Sequence, residues 1–213
     1  MVGLVVIGMV LPTSATSIST EEERQSPVEP SFLWFYYSGL EIDTSDSQAV
    51  METYANVETG DYYVIQYSGY LTADRVERLE DMGVGLYEYL PYNGYVVRMD
   101  ESSVSKVRSL DYVRFLIPYY PAFKVSPDLF GHGVVKVRVH LYPDVDFDRN
   151  LKEIENLGVV YGTSARHGTV NVMVNGIRMN ELVAIPDVRY VVEDSPIVIY
   201  NNRAATMEGN YDA

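Results

Sequence analysis

The pattern of residues 83–121 comes round a second time, 75 positions later, and no gap is needed to align the copies. Gly83 falls on Gly158, and just before it Val76, Leu79 and Met82 fall on Leu151, Ile154 and Leu157. Val104, Val107 and Leu110 match Met179, Leu182 and Ile185. Val113-Arg114-Phe115-Leu116 matches Val188-Arg189-Tyr190-Val191, and Pro121 matches Pro196. Self-similarity at a fixed offset means one supersecondary unit built twice. The chain therefore divides into two copies, at 61–126 and 134–200.

Composition narrows what two such copies can do. With 213 residues, 47% hydrophobic and 22% charged, the chain is globular. Its formal charge of −14 argues against nucleic acid, because phosphate binding needs clustered Lys and Arg. The same charge makes an anionic membrane surface a poor partner. There is no Cys, which excludes disulfides, thiol chemistry and thiolate metal sites. Nineteen Tyr suit a strand-rich architecture, since rings pack well on a pleated surface.

Each copy spells the same order of elements. Residues 62–67 are aromatic and β-branched, as a strand requires. Thr72 suits an N-cap, and 73–82 follow as an amphipathic helix that Gly83 ends in the C′ position. Residues 84–90 and 95–99 flank Pro91-Tyr92-Asn93-Gly94, where Asn-Gly is a strong hairpin signal. Residues 100–103 offer caps for a short second helix carrying Val104, Val107 and Leu110, and 113–117 close the unit as a strand. Residues 126–133 read as a linker. The second copy then gives strand 135–141, helix 147–157 with Gly158 at C′, strands 159–163 and 169–174, a helix around 179–185 and strand 188–192. Its hairpin uses Arg166-His167-Gly168 in place of Asn-Gly.

The fold class is therefore α+β: two tandem ferredoxin-like β-α-β-β-α-β units, each an antiparallel four-stranded sheet with helices on one face. A unit of roughly 65 residues is marginal alone, so something is expected to cover the open sheet face.

Outside the repeat, residues 1–20 contain an apolar run, 2–11, followed by small residues, but no basic start. That is an export signal, implying a secreted protein, or an ordinary buried strand. The run is too short to span a bilayer, which takes roughly 20 residues. Residues 21–60 begin as a polar, Pro-containing linker. Phe32-Leu33-Trp34-Phe35-Tyr36-Tyr37 is too apolar to stay in water and is expected to form an extra strand against the first unit, with Trp34 a packing residue. Residues 41–48 read as a loop with acidic caps and 49–54 as one or two turns of helix. After Pro196, Ile197-Val198-Ile199-Tyr200 is an extended apolar overhang, and 201–213 are polar.

No catalytic constellation emerges. Ser164 in Gly162-Thr163-Ser164-Ala165 and His167 in His167-Gly168-Thr169 echo serine-protease motifs, but they sit three apart across a hairpin turn with no orienting Asp in context. Asp144, Asp146 and Asp148 with Glu155 mimic a calcium loop, yet Arg149 stands where the loop needs Gly. The plainer reading is a helix start with acids favoured by the macrodipole. His132, His140 and His167 have no metal-ligand spacing, so no metal or cofactor is expected. Phosphate chemistry of the acylphosphatase kind needs an anion-cradling loop after the first strand, and neither Ser68-Gly69-Tyr70 nor Tyr142-Pro143-Asp144 offers one.

Three phrases, together with the tandem units, carry a resemblance over 61–213. They are Tyr112-Val113-Arg114-Phe115, the run from Pro118-Tyr119-Tyr120-Pro121 through Ala122-Phe123-Lys124-Val125-Ser126-Pro127, and Tyr200-Asn201-Asn202-Arg203-Ala204-Ala205. The chain resembles the propeptide-inhibitor region of a subtilisin-like serine protease with a long, duplicated prosegment, while the protease domain itself is absent. The resemblance implies a non-enzymatic chaperone and inhibitor whose partner is a subtilisin-like protease domain, in cis or in trans. It implies that Ile197, Val198, Ile199 and Tyr200 fill the substrate cleft as an added strand, with processing between Tyr200 and Asn201. Glu193 and Asp194 would cap helix N-termini of the partner, or simply belong to a solvated loop. The competing reading is a tandem ferredoxin-like small-ligand-binding or surface-interaction module unrelated to proteolysis. It predicts a polar pocket between the units. The inhibitor reading predicts a projecting 197–200 and an uncovered sheet face.

Overall fold

A computed structural model describes residues 30–54, 57, 59–131 and 133–195. The first unit runs β3 (Tyr62–Tyr67), α2 (Ala73–Asp81), β4 (Gly85–Leu90), β5 (Gly94–Arg98), α3 (Glu101–Arg108) and β6 (Val113–Pro118). Before it come β1 (Phe32–Phe35), β2 (Leu40–Asp43) and α1 (Ser47–Thr53). The second unit runs β7 (Val134–Leu141), α4 (Phe147–Glu155), β8 (Gly158–Ser164), β9 (Thr169–Asn175), α5 (Met179–Ala184) and β10 (Val188–Glu193). The sheets are ordered β4-β5-β3-β6 and β10-β7-β9-β8, antiparallel throughout. Both are the ferredoxin-like order, with the first and third strands of each unit central. The 75-residue offset maps buried Leu79 on Ile154, Val107 on Leu182 and Leu116 on Val191.

The two sheets differ in what covers them. In the first, Ile65, Tyr67, Val97, Met99 and Leu116 pack on the helices. The opposite face, with Tyr62, Val64, Val96, Phe115 and Ile117, forms a second core with Leu33 and Phe35 of β1 and Ile42 of β2. The apolar run at 32–37 thus supplies one arm, Phe32–Phe35, of a two-stranded ribbon laid over the sheet. Leu40–Asp43 form the other arm, although 41–48 read as loop, and Asp46 N-caps α1 by accepting from the Gln48 and Ala49 amides. Burying Leu33 and Phe35 at 0% and 2% exposure stabilises the ribbon by roughly 1.5–3 kcal/mol each. Gln66, at 1% exposure, fixes its start: its Nε2 donates to the carbonyls of Phe32 (3.2 Å) and Tyr92 (2.9 Å). So the cover expected for a marginal unit comes from the chain itself, and the uncovered face that the inhibitor reading requires is not on the first sheet.

The second unit has a core on its helix side only, built from Val137, Val139, Val172, Ile154 and Leu182 among others. Residues 126–133 are no loose linker. Pro127–Leu129 form a 3₁₀ turn, and Val125 and Leu129 are buried in the second core. Val125 bridges Val191 in parallel, with the Val191 amide donating to the Lys124 carbonyl at 2.8 Å.

Three local expectations need correction. Gly158 does not cap a helix: α4 ends at Asn156 and Gly158 opens β8, where a Cβ would lie 2.4 Å from the Met173 carbonyl oxygen. Gly83 does sit at C′, with φ of 77°. In the first hairpin the positive-φ residues are Tyr92 and Asn93, while Gly94 pairs with Gln66 and Leu90 as part of β5 and must be small because Leu33 lies 2.5 Å from where a Cβ would be. Thr72 and Asp100 occupy N-cap positions but make no side-chain cap bond.

Candidate docking surface

The seam between the units is aromatic. Tyr62 stacks on Tyr142 with centroids 3.9 Å apart and planes 7° from parallel. Tyr37, from the ribbon turn, stacks on Tyr190 at 3.5 Å, and His140 stacks on that ring at 4.3 Å. Arg189 Nε donates to Glu88 Oε2 at 2.9 Å, and Arg98 reaches Asp144 at 3.2 Å beside the Tyr87 hydroxyl, which donates to the same carboxylate. Asp144 therefore ties the units together, while Asp146 N-caps α4 through the Arg149 amide and Asp148 lies in its first turn. That is the helix-start reading for two of the three acids; Asp144 has a role the spacing did not reveal.

Among the described residues no core packs on the face of the second sheet turned away from α4 and α5, although Tyr37 covers its Tyr190 end. Strand alternation puts Lys136, Arg138 and His140 of β7 there, beside Thr169, Asn171 and Met173 of β9. Arg138 anchors it, its Nε donating to Asn171 Oδ1 (3.1 Å) and its Nη2 to Asp194 Oδ1 (2.6 Å). The Tyr161 hydroxyl donates to the other Asp194 oxygen at 2.5 Å. Burial, then that bonded carboxylate, pushes the Tyr161 phenol up to about 12. Burial, then the charges of Arg138 and Arg189, pushes His140 down to about 4, so it is neutral at physiological pH. A shallow hollow of about 430 Å³ lies between β7, β8 and β9, lined by Arg138, His140, Ser164, His167 and Asn171 among others. Ser164 and His167 both reach it, but its lining carries no carboxylate to orient a base.

The sequence-derived site residues fall as follows. Glu193 ends β10 and is exposed; Asp194 is bonded within its own chain by Arg138 and Tyr161. Ile197, Val198, Ile199, Tyr200 and Asn201 lie outside the described residues, as do 1–20 and His132. The loop after β3 does have a cation beside it: Arg75 Nη1 donates to the Ser68 and Tyr70 carbonyls, 2.9 Å each, and lies 4.5 Å over Tyr112. It binds carbonyl oxygens of the loop, an arrangement unlike an anion cradle. Among the described residues no cluster of three or more potential metal ligands occurs, and no helix is long and apolar enough to cross a membrane. Gln66 and Lys124 were missed; a polar residue inside the apolar run 62–67 was the available signal for the first.

A family model described as a domain of unknown function (DUF8729) matches residues 20–120, a span that takes in both the ribbon and the first unit which it covers. No curated protein and no solved structure matches the chain.

Proposed function

We propose that this chain is a propeptide-like chaperone and inhibitor of a subtilisin-like serine protease. It docks by the open face of the second sheet and offers 197–200 to the substrate cleft. The observation that carries the reading is the asymmetry of the two sheets: the ribbon covers the first, while the second keeps a largely uncovered face whose edge strand β10 ends at Glu193, just before 197–200 in the sequence. β10 is held on β7 and on Val125, so a tail that continued it as a strand would start from a fixed support. A protein that binds only the folded protease stabilises it by mass action. An extended tail adds to a cleft through backbone hydrogen bonds. The ligand-binding alternative draws less support, because ring stacks and ion pairs fill the seam where it needs a pocket.

The test is titration of a subtilisin-like protease with the full chain, a chain ending at Ile197, and the full chain carrying Asn171→Arg on the bare face. Slow, tight inhibition by the full chain is expected, weakened about tenfold or more by either change, which corresponds to at least about 1.4 kcal/mol. Undiminished inhibition by the shortened chain would remove the tail mechanism. Absence of inhibition by any form would move the assignment to a binding module.

A further inference from the structure

The ribbon that covers the first sheet has a second, outward face. Leu33 and Phe35 turn inward, so Phe32, Trp34 and Tyr36 turn outward, with Trp34 39% and Tyr36 71% exposed. On β2, Ile42 turns inward and Glu41 and Asp43 outward. The register sets Trp34 directly opposite Glu41 and Phe32 directly opposite Asp43. Opposed side chains on one face of an antiparallel pair are neighbours, roughly 4.5–5.5 Å apart at Cβ. The outer face is therefore two ring–carboxylate pairs, repeated two residues apart, a spacing of roughly 6.8 Å along a strand.

Among the described residues no cation pairs with Glu41 or Asp43, and Asp43 accepts from the Ser45 amide at 2.8 Å. Hydrogen bonds from Ser45 hold the Asp43 carboxyl below its ordinary range, keeping it charged. The support is stiff: Phe32 meets Tyr92 edge-on at 4.6 Å, Trp34 meets Tyr36 at 5.7 Å, and Tyr37 in the turn is clamped on Tyr190. Exposed aromatic patches of this kind mark interaction surfaces. A cation over a ring is attracted by the ring's quadrupole, and most of all where a carboxylate lies beside it.

We propose that this face docks an extended segment of a partner protein carrying Arg or Lys at alternate positions. Successive same-side residues of an extended chain are spaced like the two ring–carboxylate pairs, so one cation meets Trp34 with Glu41 and the next meets Phe32 with Asp43. Charge complementarity selects the occupant, on a chain whose formal charge is −14. The rings and carboxylates that would meet the cations all belong to the ribbon, so the site stands apart from the proposed inhibition.

Trp34 is the one Trp of the chain, so its fluorescence reports on this face alone. The probe is the peptide Ac-Thr-Arg-Thr-Arg-Thr-NH2, compared with its Glu-for-Arg counterpart and with maltohexaose, a neutral sugar that could also stack on rings. Saturable quenching by the Arg peptide below about 10 mM is expected, with Kd raised about tenfold or more by Glu41→Gln with Asp43→Asn, and raised again in about 0.5 M sodium chloride. Both substitutions are exposed and keep the hydrogen-bonding shape. Three results would overturn the proposal: no saturation, an equal response to the Arg and Glu peptides, or a Kd indifferent to the double substitution. Saturation by maltohexaose in place of the Arg peptide would assign the face to glycans.

Discussion

Lys124 carries an amine into the seam between the units, where the residue is 3% exposed. Its Nζ donates to the carbonyls of Ile185 (3.3 Å) and Pro186 (3.5 Å), just past the end of α5, and lies 5.7 Å from the Tyr119 ring centroid. Burial lowers this amine from 10.5 to about 7, and the charge of Asp187 offsets only part of that. The folded state therefore binds fewer protons than the unfolded chain between pH 7 and 10.5. Stability rises with pH through that window, by at most about 1.4 kcal/mol per pH unit, and this group adds no slope below it. Urea midpoints of the wild type should climb between pH 7 and 9, and those of Lys124→Met should stay level; parallel curves would refute the assignment. Above pH 10 the buried tyrosines, Tyr62, Tyr119 and Tyr142 among them, act the other way, because burial raises them and the fold retains their protons. Nothing in the sequence around Lys124 announces this, since burial of a Lys depends on residues 61 and more positions away. Asp144 was opaque for the same reason: its partners Tyr87 and Arg98 belong to the other copy.

At the scale of elements, periodicity and the repeat were enough to read the strand and helix order of both units, because each element buries a regular stripe in its own core. What escaped was what one element does to the face of another. The covering of the first sheet by β1 and β2 is non-local, and two arms of four residues carry little pattern of their own. The equivalent glycines make the same point more sharply. Gly83 is needed for its dihedral angle, with nothing within 4 Å of a Cβ; Gly158 is needed for space beside β9. Gly83→Ala should cost about 1–2 kcal/mol for the left-handed backbone, and Gly83→Asn less, since Asn tolerates that region. Gly158→Ala should cost about 1–3 kcal/mol by overpacking, and Gly158→Asn more. Denaturant titration of the four variants checks the crossed order; the same ranking at both sites would mean one shared role.

For the whole molecule the question is whether two copies of a marginal unit behave as two bodies or one. Tyr142 belongs to the second unit, yet at 1% exposure its ring lies in the core that the ribbon shares with the first sheet, stacked on Tyr62 and edge-on to Tyr87. Gly60, just before the first unit, lies so near Pro186 that a Cβ there would be 2.7 Å from the proline Cβ, and Val125 and Leu129, which follow β6, are buried in the core of the second unit. Each unit thus completes the other's burial, which is how units of a size that is marginal alone become stable together. Such sharing predicts a single cooperative unfolding transition. Tyr142→Ala should remove about 3–5 kcal/mol, as for other buried aromatics, whereas Tyr142→Phe, which keeps the ring and deletes a hydroxyl without a protein partner, should stay within about 0.5 kcal/mol. The decisive measurement is amide exchange in β3 and β5 of the first unit, which contain none of the substituted residues. Loss of protection there in Tyr142→Ala, equal to that in β7 and β9, is expected of one body. Protection lost in the second unit alone would mean that the copies fold separately and that the seam merely brings them into contact.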